Sequence, residues 1–205
     1  MNSSNELISA IRSRRSIRRF QNRAVPGELI ERIIEAAVWA PSAGNRQDWF
    51  FTVVTSPAVK QQMADAVRRR WDAIIAANRG SGVIEEIENY VKHFGDFADA
   101  PTVIVVSAKS ADAVQRHLLG DDAEPTVGSA CSAAMAAQNL LLAAHALGLG
   151  ACCMTGALAA RRDLNRILEL GRKQDIICLI TVGWPDETPS PPVRKPLTEI
   201  VRFVP

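Results

Sequence analysis

Arg14-Arg15-Ser16-Ile17-Arg18-Arg19-Phe20 is the stretch of this 205-residue chain that says most about its fold and its chemistry. Its first six residues carry four guanidinium groups and one hydroxyl. Guanidinium groups bind phosphate oxygens in pairs and keep their charge, so such a cluster suits an anion of fixed geometry. We therefore predict that this arginine segment (residues 14–20) contacts a phosphorylated ligand.

A second stretch, Ala40-Pro41-Ser42-Ala43-Gly44-Asn45-Arg46-Gln47-Asp48-Trp49, complements the first. Its small residues allow a bulky planar ligand to approach the backbone closely. The two stretches together predict a phosphorylated cofactor that carries a ring. Two simpler interpretations remain open, namely a solvated basic turn for the first stretch and a plain helix-to-strand loop for the second.

Length and composition predict a single domain over residues 1–205 with a substantial core. Apolar residues make up 47% of the chain and charged residues 22%, as in ordinary globular proteins. The net charge of +2 lacks the basic excess of a nucleic-acid binder, so we expect no nucleic-acid partner.

The four cysteines, Cys131, Cys152, Cys153 and Cys178, form neither a CxxC pair nor a zinc spacing. Their apolar surroundings predict buried free thiols in a reducing compartment. Vicinal disulfides are strained, so the adjacent pair is predicted to be two core thiols. The three histidines show no metal-ligand spacing, and we predict no metal site. His145 is expected to be a hydrogen-bonded core residue.

The N-terminus lacks a basic region followed by an apolar run, so no signal peptide is expected. The most apolar stretch, residues 130–149, is interrupted by Ser132, Gln138, Asn139 and His145. These polar residues favour a buried or interface helix over a membrane span. We expect a cytoplasmic protein without a membrane partner.

Apolar periodicity and the turn signals predict a helix-rich α+β fold. Helices are predicted over residues 5–13, 27–39, 57–78, 83–94, 128–148 and 160–169. Strands are predicted over residues 49–55, 102–107, 152–154 and 176–183, with a last extended piece over 197–203. The segment 109–126 is predicted to be a loop.

Five pieces in this order resemble the FMN-dependent nitroreductase family over roughly residues 10–203. They are the arginine segment, the Pro41 loop with Trp49, Ala100-Pro101, Gly148-Leu149-Gly150-Ala151-Cys152, and Val182-Gly183-Trp184-Pro185 followed by Arg194-Lys195-Pro196. The resemblance implies the nitroreductase fold, with a central, mostly antiparallel sheet flanked by helices. It also implies a homodimer in which residues 186–205 extend onto the partner.

The resemblance further implies a set of FMN-binding residues. They are Arg14, Arg15, Ser16, Arg18, Pro41, Ser42, Ala43, Asn45, Met154, Thr155, Gly156, Arg194 and Lys195. Arg14 and Ser16 suit phosphate and ribityl oxygens, whereas Arg18 suits the ring edge where negative charge collects on reduction. The set from Pro41 to Asn45 would reach a flavin bound mainly by the partner, while Met154–Gly156 would lie against the ring. Lys195 remains open between a phosphate contact and a surface position.

The implied activity is ping-pong hydride transfer from NADH or NADPH through FMN to a nitroaromatic, quinone or similar electron-poor acceptor. No catalytic side chain is expected, because the flavin does the redox work. The alternatives are a specialised flavin reaction, such as flavin destruction, dehalogenation or heterocycle dehydrogenation, and a non-catalytic FMN-binding protein. The chain departs from the family at Asp48, where proline is usual, so we expect an added carboxylate near the acceptor.

Overall fold

The computed structural model describes residues 3–110, 117, 127–171 and 173–204. Four strands form one sheet: β1 (Trp49–Val54), β2 (Thr102–Lys109), β3 (Gly150–Met154) and β4 (Gln174–Gly183). The strand order is β1-β2-β4-β3, and every neighbouring pair is antiparallel. The predicted α+β class with an antiparallel sheet is confirmed, and β1 and β3 form its two edges.

Seven helices accompany the sheet in the described part of the chain. They are α1 (Ser3–Ser13), α2 (Gly27–Ala37), α3 (Pro57–Ala77), α4 (Ile84–Val91), α5 (Val127–Ala146), α6 (Arg161–Ile167) and α7 (Leu197–Ile200). Short 3₁₀ turns cover Ala43–Asn45, Asp96–Asp99 and Gly156–Ala160. Helix α3 begins as the sequence predicts, since the Ser56 side chain accepts a hydrogen bond from the Val59 amide at 3.4 Å.

The prediction of an extended piece over 197–203 is wrong in its first half, where α7 forms one turn. Pro196 precedes that turn, and the Glu199 amide donates to its carbonyl at 3.1 Å. Proline's fixed φ fits the entry to a helix, and an acidic residue in the first turn suits the helix dipole. The segment 109–126, predicted to be a loop, lies mostly outside the described residues.

Helices cover both faces of the sheet. Strand β2 is buried from Thr102 to Ala108, as expected for a strand packed on two sides. On one face, α2 and α5 pack against Ile104, Val106 and Ile180. On the other face, α3 and α6 pack against Val103, Val105 and Leu179.

Helix α5 is largely apolar, with polar interruptions that include Ser132, Gln138, Asn139 and His145. Its inner face is buried, and it contacts α1, α2 and all four strands. Among the described helices, α5 alone is long and apolar enough to cross a membrane, a test that buried core helices also pass. Its outer face leaves Val127, Cys131 and Met135 exposed.

Candidate functional site

The arginine segment runs in extended form along the free edge of β3. The Ile17 amide donates to the Ala151 carbonyl at 3.1 Å, and the Gln21 amide donates to the Trp184 carbonyl at 2.9 Å. Strand β3 is at the sheet edge, so its outer backbone groups are available for such pairing. These two hydrogen bonds fix the register of the arginine segment against the sheet.

Two apolar side chains of the arginine segment, Ile17 and Phe20, pack directly over two glycines of the sheet. A Cβ added to Gly150 would lie 2.7 Å from the Ile17 side chain, and one added to Gly183 would lie 2.7 Å from Phe20. Only glycine therefore permits this close approach of the segment to β3 and β4. This anchoring role of Ile17 and Phe20 was not predicted from the sequence. Their apolar character beside arginines was the signal that could have indicated it.

Arg14 and Arg18 face two separate clefts beside β3. Arg14 lines a cleft of about 310 Å³ near the end of α5, together with His145 and Ala151. Arg18 lines a second cleft of about 320 Å³ that includes Met154. Both volumes lie at the lower end of the range for small-molecule sites. The structure thus brings the predicted residues Arg14, Arg18 and Met154 to the same strand.

Ser16 lies between these clefts, and its hydroxyl contacts the buried Cys152 thiol. Burial raises the pKa of Cys152, and the opposing effects of Arg18, Ser16 and Arg14 only reduce that rise. The Cys152 thiol is therefore neutral at physiological pH and acts as an apolar support beneath Ser16.

The Arg15 guanidinium is held by backbone carbonyls. Its guanidinium donates to the Arg12 carbonyl at 2.7 Å and to the Arg14 carbonyl at 2.9 Å. These carbonyls belong to the C-terminal end of α1 and the residue after it, where a cation is favoured by the helix dipole. Arg15 thus lines the same cleft as Arg14, while its guanidinium caps the end of α1.

Glu187 fixes the backbone of the arginine segment from the other side. Its carboxylate accepts hydrogen bonds from the amides of Arg18 and Arg19, the latter at 3.0 Å, and forms an ion pair with the Arg19 side chain at 3.4 Å. Burial raises the pKa of Glu187, but the two amides and the nearby guanidiniums outweigh it, so the net pKa is lowered. The sequence analysis missed this residue.

An aromatic cluster, defined as Trp71, Tyr90 and Phe94, packs on the predicted Met154–Gly156 loop. The Trp71 indole donates to the Gly156 carbonyl at 3.0 Å. The Phe94 ring lies 5.4 Å from Trp71 and 4.9 Å from Tyr90, and it approaches Gly156 so closely that a Cβ there would lie 2.5 Å away. Tyr90 is the exposed member of this cluster, on the solvent side of Phe94.

The loop from Pro41 to Asn45 lies far from the arginine segment, at the opposite edge of the sheet. It rests on the start of α5, where the Ala43 amide donates to the Ser132 hydroxyl at 3.2 Å. The Gln47 amide closes the turn by donating to the Ser42 hydroxyl at 3.1 Å. Asn45 has a φ of 52°, a strained value that is often found at functional loops. One chain therefore does not unite the two halves of the predicted site.

Asp48 does not present a free charge to a ligand. Its carboxylate pairs with the Arg46 guanidinium at 2.9 Å and accepts a hydrogen bond from Ser129 at 3.4 Å. The Asp48 side chain is only 15% exposed. The charge of Asp48 is thus compensated by Arg46, and its place near an acceptor stays a prediction.

Arg194 and Lys195 lie in an exposed tail, so the structure does not bring them to the arginine segment. His145 is half-buried rather than a core residue, and its ring nitrogen shares a 2.8 Å hydrogen bond with Ser13. Burial lowers the pKa of His145, and Arg14 and Arg15 lower it further, so the ring is neutral. The described residues contain no cluster of three His, Cys, Asp or Glu that could hold a metal.

Comparison with known proteins finds relatives that match this chain over most of its length. The chain is 32% identical to an NADH dehydrogenase of Thermus thermophilus, over 94% of this chain and 93% of that protein. It is 30% identical to an iodotyrosine deiodinase of Haliscomenobacter hydrossis, over 85% of this chain and 77% of that protein.

A solved complex with FMN from Desulfovibrio desulfuricans, described as a nitroreductase, has the same fold. The two structures superpose with a TM-score of 0.67 at 28% identity, over 97% of this chain and 96% of that one. The model of the nitroreductase family matches residues 11–184, from the end of α1 to the residue after β4. This match and the identity to full-length relatives show that the chain belongs to the nitroreductase family.

Proposed function

We propose that the protein is an FMN-dependent oxidoreductase that takes hydride from NADH or NADPH and reduces an electron-poor acceptor such as a nitroaromatic or a quinone. The observation that carries this proposal is the arginine segment, which β3, two glycines and Glu187 hold rigidly beside two clefts. The NADH dehydrogenase relative supports a nicotinamide reductant, and the solved FMN complex supports the cofactor.

The residues of the segment fit a phosphorylated flavin. Neither Arg14 nor Arg18 takes part in an ion pair with another described residue, whereas Arg19 is paired with Glu187. Two guanidiniums outside any close ion pair, on either side of the Ser16 hydroxyl, match an anion with several oxygens. Arg14 and Ser16 would bind the phosphate, and Arg18 would lie at the ring edge.

When bound, FMN supplies the chemistry of accepting and donating hydride. The protein's own residues would position the cofactor and adjust its reduction potential. Arg18 would place a fixed cation near the ring edge where negative charge accumulates on reduction. Backbone amides of the Met154–Gly156 loop, which the Trp71 indole holds in place, would orient the ring. The aromatic cluster offers an apolar surface for a planar acceptor.

We further propose that the site is completed by a second copy of the chain. The strand order places β1 and β3 at opposite edges of the sheet. The Asn45 loop leads into β1, and the arginine segment lies against β3. The exposed tail carries unburied apolar side chains, including Val193, Leu197 and Phe203. Such an exposed apolar surface supports an interface at the tail. The tail and the outer face of α5 are the surfaces that a partner would cover.

A second candidate is reductive dehalogenation of an aromatic substrate. The relative that is an iodotyrosine deiodinase favours it, as does the exposed Tyr90 ring beside the Met154–Gly156 loop. Equilibrium binding separates the two candidates. A nitroaromatic that binds the FMN-loaded protein more tightly than 3-iodotyrosine supports the first candidate, and the reverse order supports the second.

The proposal is tested by the cofactor that the purified protein carries. We expect a yellow protein that releases FMN on denaturation and loses its flavin absorption band when NADH or NADPH is added without oxygen. Arg14→Ala should weaken FMN binding roughly tenfold to a hundredfold, because a charge-assisted contact contributes about 1.5–3 kcal/mol.

Arg32→Ala, an exposed arginine on α2, is the matched control and should leave FMN affinity unchanged. Release of FAD would contradict the cofactor assignment. Tight FMN binding without any reduction by either nicotinamide would instead support a non-catalytic FMN-binding protein.

A further inference from the structure

Cys153 and Cys178 form a thiol pair beside the arginine segment. Cys153 on β3 lies opposite Ile180 on β4, so Cys178 is two residues away on the same face of the sheet. Such diagonal neighbours are within reach of each other. The two thiols lie close enough to interact, and each is the largest single influence on the pKa of the other.

The exposures of the two thiols differ sharply. Cys178 is only 3% exposed, whereas Cys153 is exposed at the sheet edge. The prediction that all four cysteines are buried is therefore wrong for Cys153 and for Cys131, which lies on the outer face of α5. At Cys153 the reason is the edge position of β3, which leaves one side of that strand open.

The surroundings of Cys153 favour its thiolate. The interaction with the Cys178 thiol lowers the pKa of Cys153 to about 7, with burial opposing the shift and the Arg14 cation supporting it. The same contact raises the pKa of Cys178, and burial adds to that rise. Cys153 is thus the nucleophile of the pair, and Cys178 keeps its proton.

We propose that Cys153 is a modification site for hydroperoxides and that Cys178 is its resolving thiol. The Cys153 thiolate attacks the terminal peroxide oxygen, an S–O bond forms and the O–O bond breaks, and the leaving hydroxide or alkoxide is protonated to water or an alcohol. The Cys178 sulfur then attacks the Cys153 sulfur, its proton goes to the departing hydroxide, and water is released. Two thiols are oxidised to one disulfide as one hydroperoxide is reduced.

The same site links this chemistry to the cofactor, a part of the inference that rests on the proposed function. Arg14 is close to the Cys153 sulfur and is also the proposed phosphate ligand. Bound FMN would cover the edge of β3 between Arg14 and Met154. We therefore expect the disulfide to form in the cofactor-free protein and FMN to protect the thiols.

The test treats the reduced full-length chain, freed of FMN by dialysis, with equimolar hydrogen peroxide. We expect a mass loss of two hydrogens and a cross-link that peptide mapping assigns to Cys153 and Cys178. In Cys178→Ser, dimedone should instead trap a sulfenic acid at Cys153. Alkylation of Cys153 should rise with pH with a midpoint near 7, and at pH 7 it should be roughly tenfold faster than at Cys131.

Cys131→Ser is the control for an exposed thiol and should form the same cross-link as the unmodified chain. Oxidation at Cys131 as fast as at Cys153, or Cys153 oxidation without a cross-link to Cys178, would overturn the proposal. Saturating FMN should slow cross-linking. An unchanged rate with FMN bound would overturn the placement of FMN over Cys153 and leave the thiol chemistry standing.

Discussion

A single carboxylate, Glu187, ties the backbone of the arginine segment to the start of the tail. The pKa of this group in the folded chain is below the 4.5 of an ordinary glutamate, so its contribution is complete above that pH and is lost as pH falls through the folded pKa. Glu187→Gln should therefore lower the free energy of unfolding at pH 7 by about 1–2 kcal/mol.

Urea unfolding at pH 7 and at pH 3 measures this effect, and the difference between Glu187→Gln and the unmodified protein should shrink at the lower pH. Glu199→Gln, an exposed change in α7, provides the control and should alter stability little at either pH. A difference for Glu187→Gln that is equal at both pH values would contradict the charge-based explanation.

The residues that bear charge in the candidate site could be predicted from the sequence, whereas their supports could not. Arg14, Ser16 and Arg18 were identified because guanidinium chemistry is visible in a local motif. Glu187 was missed because it lies 169 positions from the Arg18 amide that it binds, and no local pattern connects them. The capping of α1 by Arg15 could not be predicted either, because it depends on the final geometry of that helix.

At the scale of secondary structure, the contact between the arginine segment and β3 depends on the absence of a side chain at Gly150. A methyl group there would lie 2.7 Å from Ile17. Gly150→Ala should therefore displace the segment and destabilise the protein by roughly 1–3 kcal/mol through overpacking. FMN affinity should fall as well, since Arg14 and Ser16 move with the segment.

Thermal unfolding and FMN titration test this expectation. Gly27→Ala, at the start of α2, is the matched control because a Cβ there meets no atom within 4 Å. Its melting temperature should stay close to that of the unmodified protein. Loss of stability in Gly150→Ala with unchanged FMN affinity would show that the segment does not form the cofactor site.

Most elements were predictable because each shows its own periodicity or capping signal. Helix α3 has its Ser56-Pro57 start, and α5 was identified from its high apolar content. The order of the strands was not predictable in this way, since periodicity reports which face of a strand is buried and not which strand lies beside it. The turn at Leu197–Ile200 was missed because four residues carry too little periodicity.

At the scale of the whole molecule, the strand order separates the two halves of the site. Edge strands β1 and β3 are three strand spacings apart, roughly 14 Å. The arginine segment lies along the free edge of β3. The Asn45 loop lies at the other edge of the sheet, where it leads into β1. A second chain related by two-fold symmetry would supply the missing loop to each site and would receive the apolar tail in return.

This arrangement predicts complementation between two defective chains. Arg14→Ala should impair the segment of its own chain, and Asn45→Ala should impair the loop that the same chain lends to its partner. A purified heterodimer of the two variants, carrying different tags, should then contain one intact site and one doubly impaired site. FMN titration should show one tight site per heterodimer, whereas each variant homodimer should show none. If both halves of a site came from the same chain, every site in the heterodimer would carry one defect and no tight binding would return.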